Sequence, residues 1–547
     1  MAFLRLDRQG AFPKHLGALR IGATTVKMLK RRDLLKIAAG SVAAAATLDA
    51  PFVLAQGAAA PSGAPASEPT PAQFDPSSVV DLARALSKKP YKAPSSALPD
   101  SFANLNQEAY AGIRAKPESK IWAGENIGFV LEPLHRGSVF TAPMGVSLIE
   151  NGFERRLTYS TDLFDFGKIS PPANVGDIGF SGIRLLVPFE GDLREVAVFQ
   201  GASFFRARAS FQLFGTVARG LSIRTADPRG EETPAFRQVW IEKPNLATNA
   251  VVIHALLDSE SVTGAYRFTM RPGDATIIDT ECTLFARVNV DHYGLATMAS
   301  TFVYGPLDRR RDDIRPSVHE IGGLQILNGN DEWIWRPVSN RETLQASAFV
   351  DTNPKGFGFL QRERNFSAYQ DDVAHWEWRP SLWIEPIGEW GAGEVTLVEI
   401  PSESEVNDNM VAYWRPKAPL TAGSETSFAY RQFWCWQAPS RPPMAQVAVS
   451  RSGRSTGGQP GGKRRRFLVD FTGDIFSDPQ RTQEITPNLT ASPGTISSVR
   501  SFLDRDRKSM RVIFDMDAGA DTWSELRLVL ESQGKPISET WLYRWTP

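Results

Sequence analysis

The 547-residue sequence predicts an all-β protein, a large N-terminal antiparallel β-sandwich followed by a smaller immunoglobulin-like β-sandwich. Three observations carry this. From Trp122 onward, short runs rich in β-branched residues recur between Gly, Pro, Asn and Asp. Helical periodicity is nearly absent over the same span. The stretch Ala438-Pro-Ser-Arg-Pro-Pro-Met444 interrupts the run of strands, because adjacent prolines cannot join a ladder. About 100 residues follow it, the size of a seven-stranded sandwich.

Residues 1–55 read as an export signal. Lys30-Arg31-Arg32-Asp33-Leu34-Leu35-Lys36 precedes an apolar run, Ile37 to Ala46, and then Val53-Leu54-Ala55-Gln56. Paired arginines, a weakly apolar core and a small-residue cleavage site predict twin-arginine export to the periplasm in the folded state. The run is too short to span a membrane, and Asp49 and Pro51 interrupt it, so the mature form keeps no stable membrane anchor. Met28 is an alternative start. Residues 56–73, mostly Ala, Pro, Gly and Ser, predict a flexible tether.

The first sandwich is expected over residues 74–437. Ser77 or Ser78 caps a short helix through Val79, Leu82, Ala83 and Leu86, spaced i, i+3, i+4, i+7. A second short helix covers Asn106 to Ile113. Strands follow, among them Arg194–Phe199, Gln238–Glu242, Ala250–Leu257 and Gly393–Ile400. Residues 438–446 are the linker and 447–547 the second sandwich, with strands at Arg466–Phe471, Met510–Met516 and Glu525–Glu531. The Gly-, Ser- and Arg-rich stretch Ser450 to Arg466 reads as a mobile loop.

Composition narrows function. Removing the signal leaves about 490 residues, more than one core accommodates. With 61 basic and 61 acidic residues, nothing favours nucleic acid or an anionic membrane surface, so a neutral partner is expected. The two cysteines, Cys282 and Cys435, leave a disulfide open. No CxxC or HExxH motif and no His/Cys cluster suggests a metal. There is no P-loop and no GxGxxG, and the pairs Gly176/Gly179 and Gly356/Gly358 read as turn glycines. Six of the 14 tryptophans fall between Trp333 and Trp390, which suits either a sandwich core or a cleft whose flat rings meet sugar C–H faces. In the cleft reading Arg379, Glu385 and Asn330 supply hydrogen bonds.

Several stretches resemble the periplasmic glucans biosynthesis protein G/D family: Gly201–Ala207, Ala255–Ser259 with Thr263–Phe268, Asp351–Gly358, Phe366–Asp371, Arg379–Pro386 and Ile537–Tyr543. They run in the family's order from about residue 74 to the end. The twin-arginine signal resembles the D branch. The resemblance implies the two-sandwich architecture, a role in osmoregulated periplasmic glucan synthesis, and likeness to inverting endo-β-1,2-glucanases. It implies no cofactor.

The resemblance also implies site residues. The general acid's motif matches Glu405-Val-Asn-Asp408-Asn409-Met-Val-Ala-Tyr-Trp414, which assigns Asp408. An acid working near neutral pH needs a raised pKa, expected here from partial burial beside Trp414. Taken alone, Asn407-Asp408-Asn409 is only a common polar turn. The second carboxylate matches Pro316-Ser-Val-His319-Glu320, where the D-type pattern has Asp, so Glu320 is the base through a relay. Its longer arm shifts the space an inverting site leaves for water. Tyr369, Trp376, Trp378, Arg379, Trp383 and Trp414 are the expected substrate contacts. Trp376 and Trp378 share a parity, so a single strand would point both the same way.

The expected function is therefore an endo-β-1,2-glucanase that sets glucan backbone length, with β-1,2-linked glucan as partner and a homodimer left open. The alternatives are a non-catalytic glucan-binding scaffold, a transglycosylase on the same polymer and a structural adhesin.

Overall fold

The computed structural model describes residues 73–308, 312–455, 463–482 and 484–546. The expected signal (1–55) and nearly all of the tether (56–73) lie outside these residues. Among the described residues there are 33 strands against a few short helices, so the chain is all-β.

The expected helices form, with corrections. Helix Ser77–Ser87 buries Val79 and Ala83 but leaves Leu82 exposed, so its apolar stripe is narrower than the spacing implied. Neither serine caps it; Asp75 Oδ1 accepts from Ser77 N instead, at 2.9 Å. Helix Gln107–Gly112 is capped by Asn106, whose Oδ1 accepts from Ala109 N at 2.8 Å.

Two large sheets make the main sandwich. A ten-stranded sheet includes Gly182–Phe189, Asp192–Gln200, Tyr293–Ser300, Met410–Pro416 and Ala392–Glu399. A fifteen-stranded sheet includes Ala275–Ala286, Val262–Arg271, Val251–Asp258 and Glu425–Cys435. Strand alternation builds the space between them: Thr276, Ile278, Thr280, Cys282 and Leu284 point inward along one strand. Phe199 and Phe205 of the smaller sheet meet Phe268 of the larger, with centroids 5.3 and 5.2 Å apart.

The last strands form two layers. Gln446–Arg454, Arg465–Thr472, Ser509–Asp517 and Thr495–Asp504 make a four-stranded sheet. Thr486–Ser492, Ser524–Ser532 and Thr540–Trp545 extend the fifteen-stranded sheet, because Thr540–Trp545 pairs in parallel with Trp333–Pro337. One sheet thus runs on past the proline-rich segment, a continuity no local pattern announces. Of the expected loop Ser450 to Arg466, residues 456–462 lie outside the described residues, and both flanks are strand. Strand Gln446–Arg454 runs through most of its first part, with Arg454 opposite Arg465.

Two further corrections concern small residues. Gly356 and Gly358 lie inside a strand, not a turn. A Cβ on Gly356 would stand 2.3 Å from the Trp383 ring, so glycine is needed for that ring to pack. Cys282 lies opposite Phe428 and Cys435 opposite Ala275, on neighbouring strands. Seven residues of offset is about 23 Å of strand, far beyond disulfide reach. Both thiols are free and buried.

Candidate functional site

Glu320 sits at the end of a short ladder. Strand Phe302–Tyr304 pairs with Val318–His319, Phe302 opposite His319. Glu320 N then donates to Thr301 O at 2.9 Å. Its carboxylate Oε2 accepts from Ser300 Oγ at 3.0 Å and from Thr301 N at 3.4 Å. Ser300 Oγ in turn accepts from Thr216 Oγ1 at 3.0 Å. Glu320 is fully buried, at 0 % exposure.

The segment carrying Asp408 docks on the same strand. Thr301 Oγ1 donates to Asn407 O at 3.0 Å. Phe302 N donates to Asn409 Oδ1 at 2.8 Å, and Asn409 Nδ2 donates back to Phe302 O at 2.9 Å. That amide therefore substitutes for a neighbouring strand. The residues on either side of Asp408 are pinned to Thr301 and Phe302, and Glu320 is pinned to Thr301. The two expected carboxylate segments thus share one frame. Asp408 is half-buried. Trp414 is not its neighbour: the strand rises about 13 Å between Met410 and Trp414. The Trp414 ring packs in the core between the main sheets, so burial beside it cannot tune Asp408.

Arg379 borders this frame. A Cβ on Gly215 would lie 3.2 Å from Arg379 Cβ and 3.3 Å from Glu320 Oε1, so both residues flank one glycine. The Arg379 guanidinium is enclosed and donates to the carbonyls of Phe214 and Ala374. Trp376 and Trp378 do not lie on a strand. They occupy a 3₁₀ turn, Trp376–Trp378, in which residues two apart face different ways. Trp376 is buried and donates from Nε1 to Asp371 Oδ2 at 2.9 Å. Trp378 is 41 % exposed and stacks on His375, with centroids 4.1 Å apart and planes 6° from parallel. Tyr369 is buried edge-on to His319. Trp383 belongs to a different core, stacked on Trp333 among the C-terminal strands. Of the six expected substrate contacts, only Trp378 offers a large open face. The others bury their apolar rings or, for Arg379, satisfy carbonyls.

Three loops meet at a residue the sequence reading did not select. Arg315 pairs with Asp313, with Asp371 at 2.8 Å and with Glu405 at 2.9 Å. This draws together the loops that carry Glu320, Trp376 and Asp408. Ile314, Val373 and Val406, each next to or near a member of that cluster in sequence, are 99, 88 and 50 % exposed. A charge cluster ringed by open apolar side chains has no periodic signature. Glu405 and Asp371 fall within the stretches that carry the resemblance, whereas Asp313 and Arg315 do not. A cleft of about 600 Å³ lined by Phe74, Ile127, Ile149, Glu242, Lys243 and Leu246 includes none of the expected site residues.

His319 supplies a pH handle. It stacks on Phe302 at 5.2 Å, and its Nδ1 lies 3.4 Å from Gln361 Nε2. Burial pushes its pKa down from 6.5 to about 3. The unfolded chain takes up that proton below about pH 6.5, whereas the folded chain does not until about pH 3. Stability is therefore full above pH 6.5 and falls as pH drops through that window. His135, pushed down to about 4 by burial, acts with the same sign. Urea unfolding between pH 7 and 5 is expected to show this loss. In His319→Gln the slope becomes shallower by about 1 kcal/mol per pH unit. An unchanged slope would remove His319 from this role.

A family model described as periplasmic glucan biosynthesis protein, MdoG, matches residues 74–545. The chain belongs to this family. Among its relatives, the glucans biosynthesis protein G of Vibrio cholerae is 44 % identical over 477 residues, covering 86 % of this chain and 87 % of that one. The protein of the same name from Bradyrhizobium diazoefficiens is 41 % identical over 524 residues, covering 95 and 100 %. That of Shewanella frigidimarina is 43 % identical over 479 residues, covering 87 and 85 %. These relatives carry the name of the G branch, whereas the paired arginines pointed to the D branch. Family membership makes this a periplasmic glucan biosynthesis protein, with glucan as its expected ligand. Among the described residues, no helix is long and apolar enough to cross a membrane.

Proposed function

We propose that the protein cuts the β-1,2-linked glucan backbone by an inverting mechanism and so sets its length. The supporting observation is the shared frame: the Asp408 segment is fastened to Thr301 and Phe302, and Glu320 is fastened to Thr301. Asp408 donates its proton to the glycosidic oxygen as the C–O bond breaks. Water attacks the anomeric carbon from the opposite face, and its proton passes to Glu320. Because Glu320 is buried, that proton travels through intervening hydroxyls rather than directly. Ser300, already bonded to Glu320, belongs to that route. No cofactor takes part. The open apolar side chains around Arg315 suit the C–H faces of glucose units.

The test is release of new reducing ends from linear β-1,2-glucan by the purified protein. Binding without release would favour a second reading, a glucan scaffold acting after export. The complete burial of Glu320 is the observation that supports that reading, since a binder needs no water site. Transfer to another glucan instead of water would identify a transglycosylase. In each case Trp378 is the exposed platform. Trp378→Ala is expected to weaken glucan affinity about 2- to 10-fold, as titration calorimetry would read. Unchanged affinity would place the polymer elsewhere.

A further inference from the structure

The two carboxylate-bearing segments are held not only by each other but by the C-terminal strands. Asn340, in the turn after strand Trp333–Pro337, is buried. Its side chain makes three bonds to backbone: Nδ2 to Val303 O at 2.9 Å, Nδ2 to Ser402 O at 2.7 Å, and Oδ1 from Ser402 N at 3.0 Å. Val303 lies in the strand that pairs with Val318–His319, just before Glu320. Ser402 opens the loop that ends at Asp408. One amide thus bridges both segments on the side away from Asn409.

Asn340 is itself held in place. Its backbone N donates to Asp308 Oδ2 at 2.9 Å. The other oxygen of Asp308 pairs with Arg341 Nη1 at 3.3 Å, both side chains being buried. Arg341 Nη2 donates to the hydroxyl of Tyr543, a buried residue of the last strand. A second tether runs in parallel, from Ser452 Oγ of strand Gln446–Arg454 to Leu307 O at 3.0 Å.

We propose that Tyr543, Arg341, Asp308 and Asn340 form a positioning relay through which the C-terminal strands set the spacing between the Asp408 and Glu320 segments. This inference rests on the glucanase reading for its effect on rate, but not for its effect on structure. None of the four touches substrate in this scheme; they act through the segments they hold. The chemistry requires such a device. Catalysis through two separated carboxyl groups is sensitive to small displacements, and a shift of about 1 Å costs on the order of 100-fold in rate. Backbone bonds from a single amide fix both segments at once. The guanidinium link to Tyr543 makes that amide's position depend on the C-terminal layer.

The experiment compares Tyr543→Phe and Asn340→Ala with wild type in the full chain. It reads kcat and KM on linear β-1,2-glucan, the melting temperature, and amide hydrogen exchange over residues 400–410, with 465–472 as internal control. Tyr543→Phe loses a single hydroxyl and is expected to lower kcat about 2- to 30-fold, with KM and melting temperature near wild type. Asn340→Ala is expected to lower kcat about 100-fold. In both, exchange quickens over 400–410 and not over 465–472. Unchanged exchange over 400–410 in both variants overturns the relay, whatever the rates do. If Asn340→Ala does not fold, Tyr543→Phe decides alone. If wild type cuts no glucan, the glucanase reading fails, and the exchange contrast still decides the relay.

Discussion

Asp408→Asn is expected to abolish cleavage of linear β-1,2-glucan, lowering the rate by about 10²- to 10⁴-fold, while glucan still binds. The range is the contribution of a positioned general acid, which the amide cannot replace because it has no acidic proton. The substitution is close to isosteric. The bonds of the Asn407 carbonyl and the Asn409 side chain to Thr301 and Phe302 do not involve the substituted group, so they survive. A fall in rate with glucan binding and the near-ultraviolet spectrum unchanged reports lost chemistry and not a displaced loop. The readings are initial rates of reducing-end release and glucan affinity by calorimetry, both on wild type and variant. A variant that cuts at the wild-type rate would eliminate Asp408 as the acid. A wild type that binds but does not cut would move the protein to the scaffold reading. Loss of both binding and cleavage would point to a collapsed loop, which near-ultraviolet circular dichroism would detect.

The second large effect is on stability. Glu539 is fully buried where the C-terminal strands meet the fifteen-stranded sheet. Its carboxylate accepts from Arg362 Nη1 at 2.6 Å and Nη2 at 3.0 Å, from Gln325 Nε2 at 3.2 Å and from Val447 N at 2.6 Å. The Arg362 guanidinium also lies 3.7 Å above the Trp335 ring and donates to Val447 O. Glu539→Ala removes the carboxylate that faces this cation and the acceptor of the Val447 N–H, while Gln325 Nε2 keeps its bond to Ile334 O at 2.8 Å. Breaking one side of a buried pair costs about 3–5 kcal/mol. For a chain of this size the melting midpoint is expected to fall by about 3–5 °C. The double variant Arg362→Met/Glu539→Leu is expected to lose less than Glu539→Ala, because no uncompensated charge remains. Calorimetry of the three proteins checks this. A midpoint in Glu539→Ala equal to wild type would show that the carboxylate contributes nothing to holding the layers together.

Much of the fold was legible locally. Strand Ala275–Ala286 reads Ala-Thr-Ile-Ile-Asp-Thr-Glu-Cys-Thr-Leu-Phe-Ala, and its alternate residues are the buried ones. The short helix expected over Asn106 to Ile113 forms as Gln107–Gly112, with Asn106 as its cap and not its first turn, because a local helix needs only its own neighbours. The Asp408 and Glu320 motifs could be read only through resemblance. They are about ninety residues apart, and nothing in either stretch points to the other. The aromatic positions were the least legible. A tryptophan carries the same apolar area whether it lines a cleft or fills a core, and five of the six between Trp333 and Trp390 fill cores. Trp378 escapes because His375 adopts a left-handed backbone, with φ of 44°, and starts a turn that rotates successive side chains apart. No strand-parity argument anticipates such a turn.

By itself, then, the sequence determined the all-β class, most strand positions and the family. These depend on residue type and spacing over ten or so positions, where steric preference and alternation act directly on the chain. Only the tertiary structure decided that Thr301 and Phe302 gather the Asp408 and Glu320 segments, that Cys282 and Cys435 cannot pair, and that the last strands extend the main sheet. Those outcomes are set by which distant strands satisfy each other's buried backbone groups and exclude water between them. That is a property of the whole assembled sandwich and is not encoded in any single stretch.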